Sequence, residues 1–483
     1  MLLLLALLAQ AGLPSQNQLE AAFRESAAAA CPRMKVAFDQ DLTRACKSYV
    51  SAVAAGRAEL SGNDVLFFSG LESYEPSPLP SVAAVTPPST ADRAAAQLIP
   101  QACHFNRAGV AAAVDPSGRA VVCSLAAQHS TDLSPIPGRV RTGESVTVSG
   151  VLGEGLRKPR IFVTRPDGEV EEIPLENSER LLAVVPLRER GEHSIEVLAD
   201  SSAGPQVVAL RRVFAGIAPP DHPPKASASK VGTGLARVEA AINQLRAAHG
   251  LARLQRDGQL DDIALGHSEQ MARLKTFAHV LPTDGSLDDR LKAKGWAFRG
   301  AGENIGFADD AAAAHEAIAS SPAHLANLLN PQHRKLGLGA VRGATADGLE
   351  GVYLTEVLAS PVVAPKDPAA AVAKELARVR ETTGLAPLER DKMLDYLATM
   401  EARSAVRRDE AHLQPELTPS VMKEEPNLES AVAEIFVASS PAEIARSKNS
   451  AEPRWTRLGV GAVYASSKRF GPGRLWVVLI YAR

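Results

Sequence analysis

The sequence predicts a multidomain α+β chain in which mixed helix–strand domains are joined through an all-β sandwich. Its 483 residues exceed what a single hydrophobic core holds, and the usual domain size divides them into about three or four units. A stretch from 135 to 216 alternates with period two, while the text on either side recurs at helical spacing. Proline-rich breaks at 217–231 and 361–368 separate these texts and behave as linkers. The expected division is a signal peptide at 1–11, a small disulfide-bearing α+β domain at 18–130, and the sandwich at 135–216. The linker at 217–231 and two further α+β domains at 232–361 and 366–483 complete it.

Residues 1–11 form a short leucine-rich segment ending in Ala9-Gln10-Ala11, the small-x-small pattern accepted by signal peptidase. The segment is shorter than the ~20 apolar residues a spanning helix needs, and it lacks a basic n-region. A secreted or periplasmic protein with no stable membrane span is expected, with a membrane anchor as the alternative. Against 53 basic residues stand 55 acidic ones, so net charge provides no pull toward nucleic acid or anionic membrane.

Cys31, Cys46, Cys103 and Cys123 all fall in the first domain, an even number that favours two disulfides in an exported chain. Four cysteines allow three pairings. The local pair is preferred: Cys31–Cys46 across a helical stretch, and Cys103–Cys123 across a hairpin spanning 110–121. No C-x-x-C spacing supports a zinc site instead. Residues 76–90, rich in proline and serine, read as a long loop.

In the sandwich, the runs 145–149, 160–164, 194–198 and 207–210 alternate apolar and polar, separated by turns such as Pro166-Asp167-Gly168. The pattern resembles an immunoglobulin-like accessory domain. Beyond it, Leu235, Val238, Ile242 and Leu245 mark a helix that Gly250 stops. A second helix is expected at 261–275 and a third at 309–319, with Asp309 or Asp310 near its cap. Strands are expected at 337–342 and 351–358.

Within this region lie Phe277-Ala278-His279, Gly302-Glu303-Asn304, Ser321-Pro322-Ala323-His324, Asn327-Leu328-Leu329 and Tyr353-Leu354-Thr355-Glu356, in that order. The series resembles the CAP superfamily in its bacterial form, the family of SCP and plant PR-1 proteins, over about residues 235–360. The resemblance implies an α-β-α sandwich with a central cavity, onto which His279, Glu303 and His324 converge. Such a set can bind a divalent metal such as zinc, share protons, or hydrogen-bond a polar ligand. Glu303 also has a structural reading, as part of a Gly-Glu-Asn turn that satisfies local backbone groups. Eukaryotic members carry two His and two Glu. Here Ser321 stands about where the second Glu would fall, Tyr353 replaces the later His, and Ile318 lies near the place of a common tryptophan.

Other histidines read as structural. His315-Glu316 fails the H-E-x-x-H pattern because Ala319 holds the second position. His267 reads as a solvated or core-edge residue, and His249 as part of a helix C-cap.

The text 250–260 is echoed at 384–394: Gly250-Leu251-Ala252, Leu254, Arg256-Asp257 and Leu260 return as Gly384-Leu385-Ala386, Leu388, Arg390-Asp391 and Leu394. Leu336-Gly337-Leu338-Gly339 returns as Leu458-Gly459-Val460-Gly461. The echo loses the polar residues: Glu443 replaces His324, no Gly-Glu-Asn survives around 424–427, and His412 alone lies near the place of His279. A degenerate CAP-like copy is expected there. A fainter echo in the first domain matches Leu42 and Cys46 to Leu260 and Ala264, the alternative being an unrelated small α+β fold.

The expected function is a non-catalytic binding protein whose cavity engages a small polar, lipidic or peptide-like ligand or a divalent metal, its partner an envelope or extracellular component. A His/Glu-dependent or metal-assisted hydrolase and a structural adhesion module are the rivals; no nucleophile motif supports the former.

Overall fold

Short polar residues start the helices of the first region. In this computed structural model, which describes residues 12–100, 103–176, 180–224, 234–346, 348–362 and 364–483, Ser15 caps α1 (Gln16–Ala30) and Asp39 caps α2 (Gln40–Ala54). The expected signal segment and the linker beyond Pro224 lie outside the described residues. Further elements of the region are β1 (Ala37–Phe38), α3 (Gly62–Glu72), β2 (Leu79–Val85), α4 (Ala91–Gln97), β3 (Arg107–Val114) and β4 (Ala120–Ala127). The sheet order is β1-β3-β4-β2. One correction to the sequence reading is β2, an edge strand inside 76–90. Proline is tolerated there because an edge strand need not donate on its outer side, so a proline-rich text conceals a strand.

The disulfides also differ from the local pairing: Cys31 bonds Cys103 and Cys46 bonds Cys123, with Cα atoms 5.4 and 5.5 Å apart. Layering is the reason. Helix α2 covers one sheet face, where Cys46 and Cys123 share a core with Ala111 and Val121. Helices α1 and α4 cover the other, with Val110 and Val122. Cys31, which ends α1, and Cys46, within α2, therefore belong to different layers and cannot meet.

A three-stranded and a five-stranded sheet make the sandwich. Strands β5 (Thr131–Leu133), β6 (Arg139–Val140), β7 (Ser145–Leu152), β8 (Arg157–Thr164), β9 (Val170–Ile173), β10 (Leu181–Pro186), β11 (Gly191–Ser201) and β12 (Gly204–Ala215) pair in the orders β10-β7-β5 and β6-β12-β11-β8-β9. Alternate residues, among them Val146, Val148, Ile161, Val163, Ile195 and Val197, fill the space between the sheets.

The central region contains α5 (Leu235–Ala248), β13 (Gln255–Arg256), α6 (Gly258–Leu274), α7 (Leu287–Ala293) and β14 (Phe298–Ala308). It continues with α8 (Ala311–Ser320), α9 (Pro322–Leu328), β15 (Lys335–Ala344) and β16 (Glu350–Pro361). Helix α6 starts earlier than the period suggested because Asp257 caps it. Leu260, Ile263 and Ala264 of this helix pack on one face of the sheet with Val357 and Ala359. On the opposite face Val238, Ile242, Ala314, Ile318 and Leu325 meet Leu354 and Leu358. Each buried aliphatic side chain contributes roughly 1.5–3 kcal/mol. The sheet order is β13-β15-β16-β14, so β14 forms one edge.

The C-terminal region has α10 (Pro368–Thr382), β17 (Glu389–Arg390), α11 (Lys392–Arg408), α12 (Leu417–Glu424), β18 (Ala431–Ala438), β19 (Arg457–Ser467) and β20 (Gly471–Ala482). Its sheet order, β17-β19-β20-β18, repeats the polarity of the other two four-stranded sheets: a short parallel strand, an antiparallel hairpin, and an antiparallel edge. In all three a helix presses on a glycine. A Cβ at Gly109, Gly337 or Gly459 would stand 2.3, 2.3 or 2.4 Å from a backbone carbon of Leu42, Leu260 or Leu394 respectively. Only glycine admits that approach.

Candidate functional site

Glu303 lies within an eleven-residue strand, β14, and not in the turn that Gly302-Glu303-Asn304 suggested. The strand pairs in register with β16, so Glu303 opposes Val357 and faces α6, while Asn304 opposes Glu356 and faces α8 and α9. These two neighbouring residues therefore serve two different networks.

On the α6 side, Glu303 is buried at 8% exposure. His279 Nδ1 donates to its Oε1 at 3.1 Å, and Arg290 donates to its Oε2. His267 Nε2 stands 3.8 Å from the same carboxylate. Burial raises the Glu303 carboxyl, but the His279 hydrogen bond and the Arg290, His267 and His279 charges outweigh it and hold the group below its ordinary value. Behind this shell, His267 donates through Nδ1 to Asp284 at 2.8 Å and through Nε2 to the Ala278 carbonyl at 3.0 Å. Arg290 donates to the Gly285 carbonyl at 2.9 Å.

His267 was read from the sequence as a solvated or core-edge residue; it is fully buried and braces the loop that carries His279. The signal for it was its helical position seven residues after Leu260, on the inward stripe. Nothing local marked Arg290 or Asp284.

On the α9 side, Asn304 donates to the His324 carbonyl at 3.3 Å and to Glu356 at 3.2 Å, and accepts from Asn327 at 3.0 Å. His315, dismissed as part of a failed metal motif, donates to Glu356 at 2.7 Å in the core. These residues fix the turn that begins α9, whose cap is Ser321. The His324 ring reaches round the β14 edge toward His279, the ring centroids 6.4 Å apart. Its Nδ1 is buried without a hydrogen-bond partner. Burial and the adjacent His279 push its pKa down to about 4, so the ring is neutral at ordinary pH.

The structure thus brings His279 into contact with Glu303 and sets His324 beside His279. A divalent ion does not fit this arrangement as it stands. Both Glu303 oxygens are engaged, one by a guanidinium that repels a cation, and among the described residues no group of three or more His, Cys, Asp or Glu side chains is placed to hold a metal.

The C-terminal region has no such edge. The strand matching β14 is β18 and not 424–427, which spans the end of α12 and the turn after it. Through the paired strands, Ala433 opposite Ile480 takes the place of Glu303 opposite Val357. Counting from the left-handed residues that end α6 and α11, Lys275 and Asp409, the place of His279 falls on Leu413 and not on His412.

The profile of the cysteine-rich secretory protein family, CAP, matches residues 239–357. The uncharacterised membrane protein YlbC of Bacillus subtilis is 42% identical over 101 residues, covering 21% of this chain and 29% of that protein. The uncharacterised protein YkwD of the same organism is 34% identical over 106 residues, 21% of this chain and 40% of that one. The chain therefore spans well under half the length of either relative. Among solved structures, an extracellular SCP-domain protein of Bacillus anthracis is similar at 20% identity, covering 48% of this chain and 89% of that one, with a TM-score of 0.23. Residues 239–357 are a CAP domain within a multidomain α+β chain.

Proposed function

We propose that this is an exported CAP-domain protein that binds and does not catalyse, recognising a small polar or peptide-like ligand at the His279–Glu303–His324 face. The observation that carries the reading is the neutral His324 ring, whose buried Nδ1 lacks a partner beside a Glu303 carboxylate with both oxygens engaged by His279 and Arg290. An unpaired buried polar atom costs about 1–3 kcal/mol, which a hydrogen-bonding ligand recovers. Two disulfides fit an oxidising compartment and so support export. Hydrolysis is disfavoured because Arg290 holds Glu303 as an ion pair, which takes up the carboxylate that would otherwise act as the base. In the same reading the first and last α+β units are copies that keep the packing and have lost the site. Their support is the shared sheet order and the shared helix–glycine contact.

The test is a thermal-shift and NMR screen against short peptides, a fatty acid and an amino sugar, on the wild type, His324→Ala and Glu303→Gln. A ligand whose binding both variants lose at least tenfold supports the reading. Binding that survives both substitutions overturns it, and turnover of a ligand by the wild type alone transfers the site to the hydrolases.

A further inference from the structure

Two separate contacts bring the β-sandwich onto the segments that carry His279 and His324. At the first, the tip of the β11–β12 hairpin lies against His279, and the Val280 amide donates to the Ala203 carbonyl at 3.0 Å. Ser201 pins this turn, its hydroxyl donating to the Gly204 carbonyl at 2.9 Å and accepting from the Ala203 amide at 3.1 Å. Gly204 has φ +99°, and a Cβ there would stand 2.9 Å from the His279 Cβ, so glycine is what lets the tip seat.

At the second, Glu196 of β11 crosses to the start of α9. It is fully buried; Oε1 accepts from the Ala323 amide at 3.0 Å, the Ser321 hydroxyl donates to the same carboxyl, and Oε2 is buried without a partner. Phe162 and Leu198 beside it pack on Ala323.

We propose that the β-sandwich is a closing cover over the His279–Glu303–His324 face, clasped by the hairpin tip and by Glu196, and that Glu196 makes closure respond to pH. This regulation rests on the reading of those three residues as a binding site.

A closed cover requires an isolated carboxyl to sit in an apolar seam. The charged groups on the same sheet face are largely spent on one another: Glu192 pairs with Arg212, Asp200 with Arg160, and Glu172 of β9 stands across from Phe162. On α9 the titratable group is His324, whose ring lies toward His279 and is neutral. With no cation against it, burial pushes the Glu196 carboxyl from 4.5 up to about 7, the Ser321 and Ala323 hydrogen bonds only partly opposing this. The sign follows. The closed state binds the proton more tightly than the open one, so closure is fully favoured below about 4.5 and is lost as pH rises through about 7.

The test is amide hydrogen exchange at Val280 in the full chain, corrected for intrinsic rate, at pH 5.5 and 8. In the wild type, linkage of one proton predicts that closure falls roughly 25-fold between these values. Glu196→Gln, neutral at every pH, removes that fall, and Gly204→Leu lowers protection at both. Diethyl pyrocarbonate labelling of His279, read by mass spectrometry, rises in Gly204→Leu. Val280 protection that is equal in all three proteins, or that falls with pH in Glu196→Gln as in the wild type, overturns the cover. If Gly204→Leu fails to fold, the Glu196→Gln comparison still decides. Failure of the site reading looks different: Val280 is released in Gly204→Leu, yet binding of the screened peptides, fatty acid and amino sugar does not increase.

Discussion

Arg246 in the central unit and Arg380 in the C-terminal unit stand at the ends of equivalent first helices, each fully or nearly buried, and each holds the loop beneath it by donating to backbone carbonyls. Arg246 serves Ala252, Leu328, Asn330 and His333; Arg380 serves Ala386, Ser450, Glu452 and Trp455. Asp261 accepts from Arg256 and from the Leu338 amide, as Asp395 does from Arg390 and Val460. At the edge strand and the helical turn that follows it the likeness ends: Glu303 against Ala433 on the strand, His324 against Glu443 beyond it. The loop that carries His279 is covered by the sandwich, whereas an open cleft of about 400 Å³ lies beside Glu410, His412 and Phe470. The comparison teaches that the buried polar framework of this fold belongs to folding. The edge residues form a separate layer that one unit has and the other lacks.

The sharpest way to break the comparison is to remove its common part. Arg246→Ala and Arg380→Ala each strand several buried carbonyls, and each should destabilise its own unit by roughly 3–5 kcal/mol. Denaturation followed by amide exchange in β15 and β19 reads the two separately. A neutral result in either unit would show that the two arginines are not equivalent.

The first unit differs from both by its bridges. Cys46 occupies the helix position of Ala264 and Ala398, so the double variant Cys46→Ala/Cys123→Ala should cost about 2–4 kcal/mol in that unit and nothing elsewhere. Reduction that loosens all three units alike would contradict this separation.

Smaller effects belong to the site. Glu303→Gln leaves Arg290 buried against a neutral amide and should cost about 1–3 kcal/mol near neutral pH. Because the folded carboxyl lies below its ordinary 4.5, the wild-type advantage is present above that value and is lost as pH falls through the folded one. Glu443→Gln in the other unit, at an exposed position, should change stability by less than about 0.5 kcal/mol. The least perturbing test is a titration: the His324 ring signal should stay that of a neutral imidazole until pH approaches about 4. Since the unfolded ring protonates near 6.5, this group's contribution is complete above 6.5 and declines as pH falls toward 4. A ring that titrates near 6.5 in the folded protein would show that His324 is open to water, and would remove the neutral unpaired nitrogen on which the binding proposal stands.

The sequence by itself determined much of this molecule. Helical spacing at Leu235, Val238 and Ile242, the stop at Gly250 and the alternation of the sandwich strands are local signals, since each depends on which face a side chain takes along its own element. The CAP motifs likewise picked out His279, Glu303 and His324 as residues of one region, but not the strand that carries Glu303. What lay beyond reach was decided between elements far apart in the chain. The disulfide partners followed from which side of the sheet each helix covers. Proline at an edge concealed β2, and the Gly-Glu-Asn segment became a strand because β16 pairs with it. Arg290 and Glu196 carry no local mark, and His267 only its place on the inward stripe of its helix; the sheet and the docked sandwich bring all three to their partners. A pattern along a chain records the faces of its elements, whereas proximity and desolvation across layers arise only once those faces have packed.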